Sequence, residues 1–362
     1  MMGEVADDCD VALTVLAETA GDPATKTIAH VIVGGPREEL ALRQLANAVD
    51  VITFDHELVD LTLLTKLESE GVRFQPSPRA LEYSVDKAFQ RSALAHADLP
   101  VPHFHVANDL EDIITQDFLA SLTSEPVLKA PRGGYDGRGV FFPTSRDETI
   151  RQFRELRQSG EVLLEERLDL RGEYAQQVVR GADGSIQLFP VVATVQSSGM
   201  CVEVRYPSEL PIALVARAND LTTQLAQLVA PVGVMAVEYF LTDGGLIINE
   251  LALRPHNSGH WTIEGTSSSQ FTQHLLAVSG QPLAPISPTS SAAVMVNVVG
   301  AKGEGSLENA RAVLDVFVHD YSKSWRPGRK LGHVTALDDD LEAAHVRAWM
   351  SARAYGTAAK EG

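Results

Sequence analysis

The chain is poor in cysteine, short of basic residues and without any long apolar run. Cys9 and Cys201 are the only cysteines in 362 residues, far apart and outside any C-x-x-C spacing. That usage suits reduced thiols that pack as small side chains in a cytoplasmic protein. No apolar stretch approaches 18 residues, and Glu4, Asp7, Asp8 and Asp10 stand where a signal peptide would be basic, so neither membrane insertion nor secretion is expected. Lys and Arg total 30 against 48 Asp and Glu, a formal charge of −18. Such a surface repels nucleic acid, and an anionic substrate needs a local basic pocket. Low-complexity tracts and internal repeats are also lacking. With 44% hydrophobic residues, the chain can bury a sizeable core divided among two or three compact units.

Short apolar strands at 11–17, 31–34, 51–54 and 72–74 alternate with helical patterns at 37–49 and 58–70, the layering of a parallel α/β unit. Gln75-Pro76-Ser77-Pro78 ends that pattern, a helix is expected over 79–97, and Leu99-Pro100-Val101-Pro102 breaks the chain again. From 127 to about 300 come longer strands joined by turns such as Ala182-Asp183-Gly184 and Asp243-Gly244-Gly245, with helices over 147–159, 212–229 and 268–278. Hairpins of this kind predict a largely antiparallel sheet. Residues 281–291, rich in Pro and Ser, read as a linker to an apolar strand at 294–299, a basic loop and an amphipathic helix at 338–354. The expected units are therefore 1–76, 77–280 and 281–362.

Glu238 and Glu250 are each embedded in an apolar strand, 232–241 and 246–251, on either side of Asp243-Gly244-Gly245. A hairpin centred on Gly244 sets 238 opposite 250, with Cβ atoms about 4.5–5.5 Å apart, and a bulge near the turn shifts that register by one. Opposed carboxylates repel; a cation or a proton relieves them, and hard oxygens favour magnesium. Solvent-facing carboxylates are the alternative. Asn249 adds a third oxygen only where the backbone turns it inward, because strand neighbours otherwise point to opposite faces.

Lys129 ends the strand 127–130 and precedes Arg132-Gly133-Gly134-Tyr135-Asp136-Gly137-Arg138-Gly139. Glycines there let backbone N–H groups approach phosphate oxygens, with Lys129 and Arg138 supplying charge; an ordinary mobile turn is the other reading. The loop is neither a Walker A sequence nor set in a strand-to-helix turn. Glu165 and Glu166 end the strand 162–168 and Glu173 opens the next, which reads as an acidic hinge between lobes or as solvated edge residues. Arg254-Pro255-His256-Asn257-Ser258-Gly259-His260-Trp261 follows Glu250 directly, and so many polar groups beside a candidate metal ligand read as a site.

These elements occur in the order of the ATP-grasp superfamily, and more narrowly the chain resembles the 5-(carboxyamino)imidazole ribonucleotide synthase family. The resemblance is carried by Arg132 to Gly139, Asn249-Glu250, His256-Asn257-Ser258-Gly259-His260-Trp261-Thr262, Ser269-Gln270-Phe271 with Gln273-His274, and Pro327-Gly328-Arg329-Lys330 with Gly332-His333. Thr53-Phe54-Asp55-His56-Glu57 and Pro76-Ser77-Pro78 extend it over nearly the whole chain. It implies an α/β and α+β architecture: an ATP-grasp fold, an N-terminal Rossmann-like pre-ATP-grasp domain and a small C-terminal domain. The family opens with a strand and a glycine-rich turn that have no counterpart here. Met1-Met2 resembles a point inside the first helix, so a natural start about 20 residues earlier is expected, the length of a strand, a turn and half a helix.

The resemblance also implies an ATP-dependent carboxylation of aminoimidazole ribonucleotide by bicarbonate, through carboxyphosphate, in purine biosynthesis. Lys87 and Lys129 are then expected on the ATP phosphates, with the loop Gly133, Gly134, Tyr135, Asp136, Gly137, Arg138 and Gly139 closing over them. Glu165, Glu166, Arg167 and Leu168 should flank adenine and Glu173 should accept the ribose hydroxyls. Gln196 stands near the nucleotide where the family often carries histidine. Glu238 and Glu250 are the expected metal ligands, for magnesium or alternatively manganese, with Asn249 beside them. Catalysis is assigned to Arg254, His256, Asn257 and Lys129, with Tyr135, Asp136 and Arg138. Substrate binding is assigned to Glu57 and to a cradle of Lys323, Arg326, Arg329 and Lys330, which otherwise reads as a solvated loop. A homodimer is expected. Rival readings are another ATP-grasp ligase, such as a formate-dependent glycinamide ribonucleotide transformylase or a biotin-class carboxylase, and a nucleotide-binding protein without turnover.

Overall fold

The computed structural model describes residues 1–109, 119, 122–133, 139–197, 199–300 and 305–356. Gly134, Tyr135, Asp136, Gly137 and Arg138 of the glycine-rich loop lie outside the described residues.

The amino-terminal unit starts with α1 (Met2–Val5). Then β1 (Thr14–Ala17) and β2 (His30–Val33) pair in parallel, with α2 (Glu39–Ala48) packed on both, and α3 (Leu61–Ser69) follows. The strands expected at 51–54 and 72–74 are reduced to one parallel bridge between Ile52 and Phe74. Side-chain packing takes over from the ladder there, with Phe54 stacked on Phe74 at 6.0 Å and both rings buried with Leu64 and Leu67.

The single helix expected over 79–97 is two helices, α4 (Pro78–Val85) and α5 (Lys87–His96). The break is at Asp86, held extended at φ −123° and ψ 104°, whose carboxylate accepts the Phe89 N–H at 3.0 Å and pairs with Arg132 at 2.8 Å. A capping aspartate of this kind favours a new helix start over continuation. Lys87 thereby opens α5, and Arg91 lies one turn later on the same face.

The small lobe is an antiparallel sheet in the order β3 (Phe104–Ala107), β6 (Val162–Glu165), β4 (Val127–Lys129), β5 (Val140–Phe141). It is covered by α6 (Arg146–Leu156), with Leu128, Phe153, Val162 and Leu164 at its centre.

The large sheet is antiparallel throughout and contains, among the described residues, β7 (Gly172–Arg180), β8 (Ile186–Leu188), β9 (Val192–Ser197), β10 (Met200–Tyr206), β11 (Gly233–Thr242), β12 (Gly245–Ala252), β13 (Ala292–Val299), β14 (Val316–Asp320) and β15 (Lys330–Asp338). The order runs β12-β11-β7-β9-β10-β13-β15-β14, with β8 on β7. Two helices, α7 (Ile212–Val229) and α8 (Gln270–Val278), and the C-terminal α9 (Leu341–Tyr355) pack against it. The region expected as a basic loop holds two strands, β14 and β15. The alternation of β15 is hidden because His333 and Thr335 are polar yet fully buried, so no apolar period-two signal marks it. Since β13 pairs with β10, Glu203 opposite Val296, the carboxy-terminal strands continue the same sheet.

Candidate active site

A cleft of about 800 Å³ opens between the small lobe, the end of the large sheet and the amino-terminal unit. Its floor is the hairpin β11–β12. Thr242 pairs with Gly245, Tyr239 with Ile248, and then the register shifts so that Glu238 lies opposite Glu250. The turn is thus centred half a residue before Gly244, and a bulge at Asn249 restores the expected carboxylate pairing. The bulge also turns Asn249 inward beside Glu250, as bulges do where a side chain must be re-aimed. Asn249 Nδ2 donates to Glu238 Oε2 at 3.3 Å and Asn249 Oδ1 accepts from Lys129 Nζ at 3.3 Å.

The two carboxylates are not equivalent. Glu250 is ion-paired with Lys87 at the head of α5. Burial pushes its carboxyl up, but Lys87, followed by Lys129 and Arg91, outweighs burial and holds it below the usual range. Among the described residues Glu238 is ion-paired with no lysine or arginine, and burial, then Glu250 and Glu173, outweigh the more distant Lys87 and push its carboxyl up to about 7. An oxygen-rich pair with uncompensated charge, joined by an amide oxygen, fits a hard divalent cation.

Above this floor, Lys129 Nζ lies 2.6 Å from Glu165 Oε2, and Arg91 donates from Nε to Glu165 Oε1 at 2.6 Å. Burial alone would raise the Glu165 carboxyl; Lys129 and then Arg91 bring it down to about 2. The Glu165 carboxylate is therefore committed to two cations, and its backbone is paired with Phe104 on one side and Val127 on the other, so the adenine contact expected of it falls to the residues that follow. Glu166, Arg167, Leu168, Glu173 and Gln196 all line the cleft, and Glu166 Oε1 accepts the His103 N–H at 2.8 Å.

At the other end of the floor Arg254 donates from Nε to Glu57 Oε2 at 2.5 Å, while Glu57 Oε1 and Asn257 Nδ2 are buried without a hydrogen-bond partner among the described residues. His256 Nδ1 is 2.9 Å from Ser258 Oγ, and that hydroxyl already accepts from Gln177 Nε2 at 2.8 Å. The Ser258 N–H also points at Nδ1, at 3.4 Å; an accepting Nδ1 carries no hydrogen, which puts the imidazole proton on Nε2 and makes the hydroxyl the donor to Nδ1. Nε2 lies 3.8 Å from Glu238 Oε1. Burial, with Arg254 and Lys330 nearby, lowers the imidazole to about 3, so it is a neutral donor. Gln270 grips this loop: its Oε1 accepts the His256 N–H at 2.9 Å and its Nε2 donates to the His256 carbonyl at 2.8 Å. Gly259 passes so close that an added Cβ would stand 2.3 Å from Gln270 Oε1.

Lys323 and Lys330 reach the cleft wall, with the Lys323 ammonium 5.3 Å from the Tyr321 ring centre. Arg326 and Arg329 are not among the lining residues, and Arg329 is turned to Ser324 Oγ at 2.7 Å. Sequence reasoning passed over Arg91, Gln177 and Gln270 as site-forming residues. Two of them carry a local signal: Arg91 in the i, i+4 basic pair with Lys87, and Gln270 in the Ser269-Gln270-Phe271 signature.

Three family models match in tandem: "Ribonucleotide synthetase preATP-grasp domain" over residues 1–84, "ATP-grasp domain" over 92–271 and "Phosphoribosylaminoimidazole carboxylase C-terminal domain" over 293–347. An N5-carboxyaminoimidazole ribonucleotide synthase of Mycobacterium bovis is 43% identical over 350 residues, covering 94% of this chain and 81% of its own. Among solved structures, the ADP complex of an N5-carboxyaminoimidazole ribonucleotide synthetase superposes with a TM-score of 0.89 at 30% identity, over 97% of this chain and 92% of that one. The Aspergillus clavatus synthase in complex with ADP and 5-aminoimidazole ribonucleotide gives 0.88 at 28% identity, over 98% and 95%.

Proposed function

The chain belongs to the N5-carboxyaminoimidazole ribonucleotide synthase family, and from that premise we propose that it uses ATP to carboxylate 5-aminoimidazole ribonucleotide with bicarbonate, releasing ADP and phosphate, as a ligase of purine biosynthesis. The observation that carries the reading is one floor holding the opposed Glu238 and Glu250 beside Lys129 at one end and Arg254, His256 and Asn257 at the other.

In the first step a bicarbonate oxygen attacks the γ-phosphorus and the bond to ADP breaks, giving carboxyphosphate. In the second the exocyclic amine attacks its carboxyl carbon, the C–O bond to phosphate breaks and the amine loses a proton. Lys87 and Lys129 neutralise the ATP phosphates, which is most effective where water is excluded. Arg254, aimed by Glu57, faces the carboxyphosphate anion, with the His256 Nε2–H and the unpartnered Asn257 amide as further donors. The open oxygen of Glu57 accepts a hydrogen bond from the ribonucleotide, whose phosphate sits on Lys323 and Lys330. The adenine lies along Glu166, Arg167 and Leu168, and Glu173 takes the ribose hydroxyls. Glu238 and Glu250, with Asn249 alongside, would hold a magnesium or manganese ion, which would supply further neutralisation of phosphate charge.

The units 1–76, 77–280 and 281–362, a cytoplasmic location and a homodimeric state belong to the same proposal. The buried free thiols Cys9 and Cys201 support the second, and light scattering tests the third. The reaction is tested by ADP release from purified protein. Release should require bicarbonate and aminoimidazole ribonucleotide together, with label from carbon-13 bicarbonate entering the product. Release supported by formate instead, or independent of the ribonucleotide, would overturn the reading.

A further inference from the structure

We propose that Arg91 is a positioning residue that locks the two halves of the nucleotide site together, holding Lys129 through Glu165 and the Asn249 bulge through its backbone; the inference rests on the function proposed above. Arg91 projects from α5 into the seam between the small lobe and the large sheet, and its side chain is 2% exposed. Every acceptor it meets backs a residue of the site. Nε and Nη2 grip Glu165 Oε1 at 2.6 and 2.5 Å. Nη1 donates to the Ile248 carbonyl at 3.0 Å and Nη2 to the Asn249 carbonyl at 2.9 Å.

Those carbonyls lie at the bulge on β12, the last strand on that side of the sheet. The Ile248 N–H there donates to the Pro100 carbonyl at 2.8 Å, and the Arg91 fork supplies donors to the carbonyls. A bulge leaves backbone groups that the ladder does not satisfy, and buried groups of that kind require partners. Lys129, on the small lobe, and Asn249, on the large sheet, are 3.3 Å apart. Arg91, Glu165, Lys129 and Asn249 thus close a ring across two separate sheets. Only a planar cation with several fixed donors reaches a carboxylate and two carbonyls at once; a lysine ammonium serves one or the other.

The test is the affinity for ADP with magnesium, read by titration calorimetry beside thermal melts, with KM for the ribonucleotide measured in turnover. Arg91→Gln should weaken ADP at least tenfold and lower Tm, with the ribonucleotide KM changed less than threefold. In that variant Glu165 keeps Lys129 as its one cation. A purely structural Arg91 would weaken ADP and the ribonucleotide alike, and that result overturns the proposal. If Arg91→Gln does not fold, Arg91→Lys decides: it keeps a cation on Glu165, so Tm should stay near wild type while ADP binds at least threefold more weakly. ADP affinity within twofold of wild type in a folded Arg91 variant also overturns it. ADP binding is measured without bicarbonate or ribonucleotide. Wild-type protein that binds ADP yet shows no bicarbonate-dependent turnover would therefore refute the proposed reaction and leave the Arg91 inference standing.

Discussion

His274 Nε2 lies 2.7 Å from Thr53 Oγ1 while its Nδ1 accepts the Val234 N–H at 3.0 Å, so one imidazole ties the amino-terminal unit to the edge of β11. An accepting Nδ1 puts the proton on Nε2, which donates to the threonine hydroxyl. Gly233, at φ +114°, lets the ring approach to where a Cβ would stand 2.8 Å from it.

Burial lowers His274 to about 4, which gives the first prediction its sign. A folded value below the unfolded one means the unfolded chain binds the extra proton first. The contribution of His274 to stability is complete above about pH 6.5, shrinks as pH falls and is lost through about pH 4, a loss of a few kcal/mol. His274→Gln removes the titrating group. Its melting temperature should be lower at pH 8, where hydrogen bonds are lost, but should fall less steeply than wild type between pH 6.5 and 4. Parallel slopes would reject the linkage.

The unequal environments of Glu238 and Glu250 predict unequal variants. Either change to glutamine should abolish ATP turnover, since each removes a carboxylate from the proposed cation. Metal-free melts should differ. Glu238→Gln relieves a charge that its surroundings disfavour, and Tm should hold or rise. Glu250→Gln strips Lys87 of its partner. Lys87 is 13% exposed but 39% of the Glu250 side chain remains open, so the cost is nearer that of a screened pair, about 1 kcal/mol, and Tm should drop slightly. Matching Tm shifts in the two variants would contradict the asymmetry, and turnover in either would remove it from the proposed metal site.

That carboxylate pair also marks how far the sequence alone could be read. Two glutamates in apolar strands flanking a glycine turn foretell a shared sheet face, and the structure has them opposite each other. The bulge that brings them there is not legible in the sequence, where a bulge is expected only to shift the pair out of register, because a one-residue irregularity leaves no trace in a period-two pattern. Arg91 was passed over for a different reason. Its partners Glu165 and Ile248 are 74 and 157 residues away in sequence, and its one local signal, the i, i+4 spacing from Lys87, fits a solvated helix arginine equally well. Strand β15 was missed because His333 and Thr335 are buried where a strand reader expects apolar residues. The Gln273-His274 signature was visible as a motif, yet its geometry shows a tie between units, distinct from the cleft.

Lys330, the first residue of β15, opposes Val299 across the strand pair and lines the cleft. Lys330→Ala should raise KM for the ribonucleotide about 10- to 150-fold, the range for one charge-assisted hydrogen bond worth roughly 1.5–3 kcal/mol. KM for ATP should move less than threefold. Arg329→Ala, whose guanidinium is turned to Ser324, should leave both constants within twofold. Equal effects of Lys330→Ala on the two constants would remove it from the phosphate cradle.

Gly259 offers a test of the grip that Gln270 has on the catalytic loop. An alanine methyl would stand 2.3 Å from Gln270 Oε1 and 3.0 Å from Gln177 Cδ, and both glutamines are fully buried, so neither can swing aside into solvent. Relief requires Gln270 to release the His256 N–H, or the loop to lift. Overpacking of this kind costs about 1–3 kcal/mol, with loss of a buried hydrogen bond adding about 1 kcal/mol. Gly259→Ala should therefore melt several degrees lower and lose kcat, through a displaced His256, while ADP affinity stays within threefold because Lys129 and Glu250 are untouched. Combining it with Gln270→Ala removes the clash and the grip together. Tm should then recover in part while kcat stays low, because His256 is no longer held. Recovery of kcat along with Tm would mean that Gln270 only fills space and that His256 is positioned by Ser258 alone.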